Sequence, residues 1–290
     1  MAPAVVVKKF PNIVSKMIKA NKANASPLAD VPCGFEVDGN AVSDGGEDWG
    51  TLIAGGGTAV AFSGLIHEDV SNLDDQFTQG SKDIDLISGW RWSNAPVGDK
   101  VDILDAGAAL YLCQGQSFLY FFADRFAQNG DAQVGFWFFL DTISKNSDGT
   151  FSGQHTVGDL LVLTDFTQGG VTGTIKVYEW VGSGGSDGTL NLIATGANCN
   201  PPTPGATVCG ALNSTDITAP WPYTPKTGTP GTIPIGGFFE GCVNLTTALP
   251  AGVNFCTSSF LAETRQSQSV TAALGDFALG SFSTKPQVSE

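Results

Sequence analysis

The sequence predicts an all-β protein with a β-sandwich or jelly-roll-like fold. Ten or more short runs of β-branched, aromatic and aliphatic residues are separated by turn residues along the chain. Glycine and proline are abundant, at 37 and 15 of 290 residues, while charged residues make up only 14% of the chain. Because no regular helical pattern alternates with these runs, a sandwich is favoured over any α/β arrangement.

The first segment, residues 1–26, is predicted as a basic arm. Residues 1–25 hold five of the 14 basic residues and no acid, which gives +5, so the remaining chain has nine bases, 28 acids and a charge of −19. Ala4–Val7 is strand-like, and Asn12–Asn21 is amphipathic. These features predict an arm that adds to a sheet edge, in another copy of the chain or in its own. A linker or leader without a docking role is the alternative.

Residues 27–290 are predicted to form one sandwich domain, whose strand and turn pattern begins at Cys33. A loop follows the strand-like Gly34–Val37, and it is rich in side-chain oxygens. Calcium takes six to eight oxygen ligands, often from clustered Asp and Asn residues. The loop therefore predicts a structural calcium site, although Asp and Asn also favour turns for backbone reasons. The ligands of this first predicted site are Asp38, Asn40, Asp44 and Asp48.

The middle of the chain contains the densest strand pattern. The predicted strands there are Val101–Tyr111, Phe118–Phe122, Val134–Leu140, Asp159–Leu163 and Thr174–Trp180. Bulky residues occupy successive positions from Phe136 to Phe139, as in a central strand covered on both faces. Hairpin turns are predicted at three Gly-containing sequences. These are Asn129-Gly130-Asp131, Asp148-Gly149 and Ser186-Asp187-Gly188.

The first of these turns also suggests a second metal site. Asp124, Asn129 and Asp131 lie close together in the sequence around it and are its predicted ligands. Arg125 follows the apolar run Phe118–Ala123, and strand alternation places either Asp124 or Arg125 inward. A buried arginine is usually paired with a carboxylate, so a structural ion pair is predicted for Arg125.

Two aromatic pairs are candidate platforms for a sugar ring. Trp90 and Trp92 are two residues apart, as are Trp221 and Tyr223, so the members of each pair share a face of an extended strand. The apolar C–H faces of a sugar stack on such rings. Core packing is the alternative for the first pair, and packing against proline is the alternative for the second.

The six cysteines predict disulfide bonds. They form no C-x-x-C sequence, and their even number in a weakly charged chain suits an oxidising, extracellular compartment. Six cysteines can pair in fifteen ways, and the simplest choice joins the cysteines that close short loops and pairs the remaining two. The favoured pairs are Cys33–Cys113, Cys199–Cys209 and Cys242–Cys256. The Cys199–Cys209 pair is expected to hold a Pro-rich insertion at about residues 196–236, after which strands return at Phe238–Leu245, Phe255–Glu263 and Val270–Phe282.

Parts of the sequence resemble known extracellular modules. The opening FEVDGN…EDW and the later GDAQVGFWFFLD resemble strands of family 9-like carbohydrate-binding modules. The stretches HTVGDLLVLTDFTQGG and IKVYEWVGSGG resemble large secreted bacterial surface proteins. The resemblance covers roughly residues 33–182. It implies a jelly-roll-like sandwich, and many such modules bind a structural calcium.

Charge and motifs narrow the function classes. A net charge of −14 excludes a face that binds a nucleic-acid duplex outside the arm. The sequence also contains no run of 18 apolar residues, which a membrane span would need. The sequence contains no G-x-S-x-G and no phosphate loop, and His67 and His155 lie in unrelated segments, so no catalytic residue is predicted. We expect a non-catalytic, secreted or cell-surface adhesive or structural subunit that self-assembles. A carbohydrate-binding module that takes polysaccharide is the alternative, and a polysaccharide hydrolase comes third.

Overall fold

The structure is a computed structural model of the chain. It describes residues 32–68, 74–166, 169–185, 187–199, 206–250, 255–265 and 267–284. The basic arm, with its predicted strand at Ala4–Val7, lies outside the described residues. No helix in the described ranges is long and apolar enough to cross a membrane.

Strands dominate the described residues, and helices are short. The strands are β1 (Ala61–Phe62), β2 (Ile66–His67), β3 (Asp74–Thr78), β4 (Arg91–Ala95), β5 (Ile103–Cys113), β6 (Gln116–Arg125), β7 (Ala132–Phe139), β8 (Ser144–Lys145), β9 (Phe151–Ser152), β10 (Leu160–Phe166), β11 (Ile175–Gly185), β12 (Gly188–Asn198), β13 (Val208–Leu212), β14 (Ile217–Thr218), β15 (Thr232–Ile233), β16 (Phe238–Asn244), β17 (Ser259–Arg265) and β18 (Leu274–Ser281). The helices are α1 (Trp49–Ile53) and α2 (Leu245–Ala248), with 3-10 turns at Pro32–Gly34, Ile87–Gly89 and Asp99–Val101. The all-β class predicted from the sequence is confirmed.

The long strands form two sheets that are joined along one side. In the first sheet, β1 and β2 pair with β5, followed by β6, β16 and β13. In the second sheet the order is β12, β11, β10, β7, β17, β18, β3 and β4. The end of β12 pairs in parallel with β13 through Ala197 and Asn198, which links the sheets, while the other pairings are antiparallel.

Three apolar layers stabilise this arrangement. The inner layer lies between the sheets and contains Phe121, Phe136, Phe138, Phe239 and Phe260. The first outer layer covers the outer face of the first sheet with Phe35, Trp49, Trp221, Tyr223 and Ile233. The second outer layer covers the second sheet with Phe77, Ile87, Trp90, Phe151 and Val270. Because both sheets are buried on both faces, their central strands are apolar at successive positions rather than at alternate ones.

Strand β7 shows this two-sided burial most clearly, as its sequence predicts. It lies between β10 and β17, and Phe136 to Phe139 have no exposed surface. Phe136 and Phe138 enter the inner layer, whereas Trp137 and Phe139 enter the second outer layer.

Two of the three predicted hairpin turns join paired strands. Asp148-Gly149 connects β8 to β9, and Asp187-Gly188 lies where β11 turns into β12. The prediction at Asn129-Gly130-Asp131 is wrong, because β6 pairs with β5 and β16 while β7 pairs with β10 and β17. This connection crosses from one sheet to the other.

The cysteines form two disulfides, Cys33–Cys113 and Cys199–Cys209, as predicted. The predicted third pair is wrong, because Cys242 and Cys256 are free thiols. Cys242 is in β16 of the first sheet and packs in the first outer layer. Cys256 precedes β17, which belongs to the second sheet, so proximity in sequence does not bring the two sulfurs together. Burial raises the pKa of the Cys242 thiol to about 12.

Candidate functional site: clusters of buried carboxylates

The interior holds far more acids than bases. Twelve carboxylic side chains are buried among the described residues, against two buried arginines, Arg125 and Arg265. Buried carboxylates usually need a cation, a proton or several hydrogen bonds, because leaving water is costly for a charged group. The partners of these acids therefore show where chemistry can occur.

The residues of the first predicted calcium site are close enough to act on one another, but their carboxylates do not form a group of three whose oxygens lie within 4.8 Å of one another. Asp48 is fully buried at the start of α1, where its Oδ1 accepts a hydrogen bond from Trp49 N at 2.6 Å. Burial, together with the nearby charges of Asp38, Glu36 and Asp44, raises the pKa of Asp48 to about 8. Asn40 does not point its amide at a shared centre but donates from Nδ2 to Asp38 Oδ2 at 2.9 Å. Calcium at this loop stays a prediction.

Two glutamates that the sequence analysis did not select complete this loop cluster. Glu240 on β16 accepts hydrogen bonds from Asp38 N and Gly39 N through Oε1, and from Trp49 Nε1 through Oε2. Glu36 accepts hydrogen bonds from the backbone of residues 44 and 46. Much of this acidic loop is thus held by donors of the protein itself.

The structure does not assemble the second predicted metal site. Asp124 is fully buried and accepts hydrogen bonds from Asp105 N at 2.9 Å and from Trp221 Nε1 at 3.0 Å. Asn129 and Asp131 are exposed in the connection between sheets. One oxygen of Asp124 is therefore used by the backbone of β5 and the other by the first outer layer, and neither is bonded by the turn.

Asp124 instead belongs to a hydrogen-bonded chain of titratable groups. Asp105 faces it from β5 and contacts His67 Nδ1 through Oδ1 at 2.7 Å. Burial raises the pKa of Asp105 to about 6, while His67 opposes that shift. Burial and then the charge of Asp105 hold the pKa of Asp124 well above its usual range. The His67 side chain is 46% exposed, so this chain connects solvent to the interior.

A third group of acids lies at one end of the sandwich. Asp74 begins β3, Asp102 directly precedes β5, and Asp276 is in β18. Each is buried and offers an oxygen to a group whose members all lie within 4.8 Å of one another. We call these three residues the acidic triad. Among the described residues, no other three His, Cys, Asp or Glu side chains meet that distance. The sequence analysis missed it, because its members lie in three separate segments.

The predicted aromatic platforms are mostly internal. Trp90 is fully buried and donates from Nε1 to Lys82 O at 2.8 Å. Trp221 and Tyr223 are buried in the first outer layer, where the Tyr223 hydroxyl donates to Arg125 O. Stacking on a sugar needs an exposed ring face, which these three rings lack. Only Trp92 of the four is half-exposed.

The arginines reverse one expectation. Arg125 is buried as predicted, but it donates to the carbonyl oxygens of Gly236 and Gly130 and lies 4.9 Å from the Phe166 ring centre. The ion pairs found in the described residues do not include it. Burial lowers its pKa to about 10. The buried arginine with carboxylate partners is Arg265, which contacts Asp83 at 2.6 Å and also Glu263.

Comparison with known proteins adds no assignment. No family model, no curated protein and no solved structure matches this chain. The two disulfides suggest an oxidising, extracellular environment.

Proposed function

We propose that this chain is a non-catalytic β-sandwich that acts outside the cell or at its surface as an adhesive or structural subunit. The observation that carries the proposal is the charge distribution. The described residues contain 25 acids and eight bases. Twelve of those acids and two of those bases, Arg125 and Arg265, are buried, which leaves 13 acids and six bases at least partly exposed. Two of these six bases, Lys145 and Lys226, pair with Asp75 and Asp99.

An exterior of this kind attracts cationic partners, and the chain carries one in its own basic arm. Charge alone acts over only about 8–10 Å at ordinary salt. The arm adds Ala4–Val7 and further apolar residues, which suit addition to a sheet edge. The terminal strands of the sheet path are β1 and β4; β1 has one side without a partner strand among the described residues, whereas β4 is bridged there by Arg91 to Thr150 and by a hydrogen bond from Trp92 N to Gly149 O. A head-to-tail contact of this type propagates from one copy to the next.

Deletion of residues 1–25 tests this proposal by light scattering at high protein concentration. The full chain is expected to form oligomers, and the deleted chain is expected to be a monomer. A matched variant keeps the arm but replaces its five lysines with glutamine, which separates charge from strand addition. A full chain that stays monomeric in low and high salt contradicts the structural-subunit role.

A carbohydrate-binding module is the second candidate, and Trp92 is the observation that favours it. This ring lies on the terminal strand β4, is half-exposed and has Lys145 Nζ 5.3 Å from its centre. Electrophoresis through gels containing soluble polysaccharide measures this activity. Retardation that Trp92→Ala abolishes, and that Trp221→Phe leaves intact, would favour sugar binding over assembly.

A further inference from the structure

We propose that the acidic triad binds a divalent cation of the calcium type, and that this ion fastens the two sheets to each other. The ligands are Asp74, Asp102 and Asp276. This site is separate from the loop cluster around Asp48, and it does not depend on the proposed assembly through the basic arm.

Two buried oxygens in the triad point to a ligand. Asp276 has no exposed surface, and its Oδ2 accepts a hydrogen bond from Ile103 N at 2.7 Å. Its Oδ1 has no hydrogen-bond partner among the described residues, and the same is true of Asp102 Oδ1. A buried carboxylate oxygen without a donor loses its hydration and gains nothing in return. A bound cation supplies the missing interaction.

The surroundings of the triad are acidic rather than basic. The charges that act on Asp102 come from Asp74 and Asp99, and those on Asp276 come from Asp74, Asp102 and Glu68. Each of these is a carboxylate. Three acids this close together repel one another unless protons or a cation neutralise them.

The separation of the oxygens suits calcium. Calcium binds oxygen at about 2.3–2.6 Å, so two of its ligands lie at most about 5 Å apart. The triad oxygens lie within 4.8 Å of one another. Magnesium binds at about 2.0–2.1 Å in a stricter octahedron and gives up its water reluctantly, so a buried, all-protein set of carboxylates suits calcium better.

The position of the triad explains what the ion would do. Asp102 leads into β5 of the first sheet, whereas Asp74 and Asp276 belong to neighbouring strands of the second sheet. The Asp276–Ile103 hydrogen bond already crosses from one sheet to the other at this end. A cation held by all three carboxylates ties β3, β5 and β18 together in the folded state alone. Calcium should therefore stabilise the protein in proportion to its binding.

Protons on the triad carboxylates are the alternative to a bound cation, and calcium binding to metal-free protein distinguishes the two. The full chain is freed of metal with EDTA and exchanged into metal-free buffer at pH 7.5. Calcium chloride is then titrated calorimetrically, and thermal unfolding is recorded with and without calcium. We expect saturable binding and a higher melting temperature with calcium than without it. We also expect magnesium to compete only weakly for this site with an equal concentration of calcium.

Two variants locate the ion. Asp276→Asn removes one ligand charge from the triad and is expected to weaken calcium binding at least about tenfold, the lower range for disturbing a metal site. Asp159→Asn is the matched control, because Asp159 is equally buried but lies outside both the triad and the loop cluster, where it accepts a hydrogen bond from Leu140 N. It should retain the calcium response of the unaltered chain.

Three outcomes would overturn the proposal. One is an unaltered chain that binds no calcium at millimolar concentration and melts identically with and without it. The second is calcium binding that Asp48→Asn abolishes and Asp276→Asn leaves intact, which would assign the ion to the loop cluster. The third is unchanged affinity in both Asp276→Asn and Asp102→Asn. If Asp276→Asn does not fold, Asp102→Asn and the titration of the unaltered chain decide the question.

Discussion

At the scale of single residues, the face of a strand decides what an acid does. Asp124 and Asp131 are close in sequence, but one is buried in the first outer layer and the other is exposed. Asp276 is distant from Asp102 in sequence, yet both contribute to the acidic triad. Composition and spacing identify which residues have oxygens to offer. They do not show which oxygens share a centre, because that depends on strand pairing across the whole chain.

The same dependence explains the aromatic residues. Trp221 and Tyr223 are in the Pro-rich segment, whose sequence looks exposed, yet they fill the outer face of the first sheet. Their polar atoms find internal acceptors in Asp124 and Arg125. A buried aromatic residue with a satisfied polar atom is as compatible with a local sequence of this kind as an exposed platform.

Gly135 gives a residue-scale prediction. It is opposite Glu263 in the pairing of β7 with β17, and a Cβ atom there would overlap Glu263 Oε1 and lie 2.9 Å from Arg265 Nη2. Those two side chains form a fully buried ion pair, so neither can relieve the overlap by moving into solvent. We expect Gly135→Ala to lower the free energy of unfolding by about 1–3 kcal/mol, the usual cost of overpacking. Urea unfolding followed by tryptophan fluorescence measures this change.

The control for Gly135 is another glycine with open space around it. A Cβ on Gly98 would meet only a Val101 methyl group at 3.7 Å, which is ordinary contact, and its φ of −73° suits alanine. Gly98→Ala should change the free energy of unfolding by less than about 0.5 kcal/mol. Equal effects of the two substitutions would show that the ion pair tolerates a side chain in place of Gly135.

At the scale of elements, the sequence identifies long strands well and connections less well. The apolar runs that predict β5, β7 and β16 coincide with those strands to within two residues at each end, because two-sided burial demands continuous apolar sequence. The turn Asn129-Gly130-Asp131 has hairpin chemistry but joins strands of different sheets. Turn residues specify a local reversal of the backbone. They do not specify whether the next strand pairs with the last one or continues in the opposite sheet.

The two disulfides give an element-scale prediction. Cys33–Cys113 closes a loop of sequence separation 80 and ties the segment that carries α1 to the end of β5, whereas Cys199–Cys209 spans a separation of 10. Loop-closure entropy gives about 4.5 kcal/mol for the longer loop and about 2.7 kcal/mol for the shorter one. The double variant Cys33→Ala/Cys113→Ala should therefore have a lower urea midpoint than the double variant Cys199→Ala/Cys209→Ala. The reverse order would indicate that native packing, rather than chain entropy, determines the contribution of these bonds.

At the scale of the whole molecule, the excess of buried acids is the feature that the sequence conceals most completely. An acidic composition is usually an exposed one, and the sequence offers no sign that twelve carboxylates enter the interior. The three members of the acidic triad come from β3, β18 and the residue before β5. Only closure of the sandwich brings these segments together, so no local pattern could have predicted the site.

This burial predicts how stability depends on pH. In metal-free protein, burial raises the pKa of Asp105 to about 6 and that of Asp124 well above its usual range. The groups that face this pair are His67 from β2 and Trp221 and Tyr223 from the covering segment. In the unfolded chain the pKa values of Asp105 and Asp124 lie near 4, so above pH 4 the folded state binds more protons than the unfolded state.

The sign of the effect follows from that difference. The contribution of Asp105 to the free energy of unfolding is fully present below about pH 4 and is lost as the pH rises to about 6. The contribution of Asp124 is lost at still higher pH. We therefore expect the urea midpoint in EDTA to be higher at pH 5 than at pH 8. Asp105→Asn removes one of the two titrating acids and should reduce that difference. A midpoint that is equal or higher at pH 8 would mean that the two carboxylates are ionised and compensated in the folded protein, and that the hydrogen-bonded chain from His67 does not hold an extra proton.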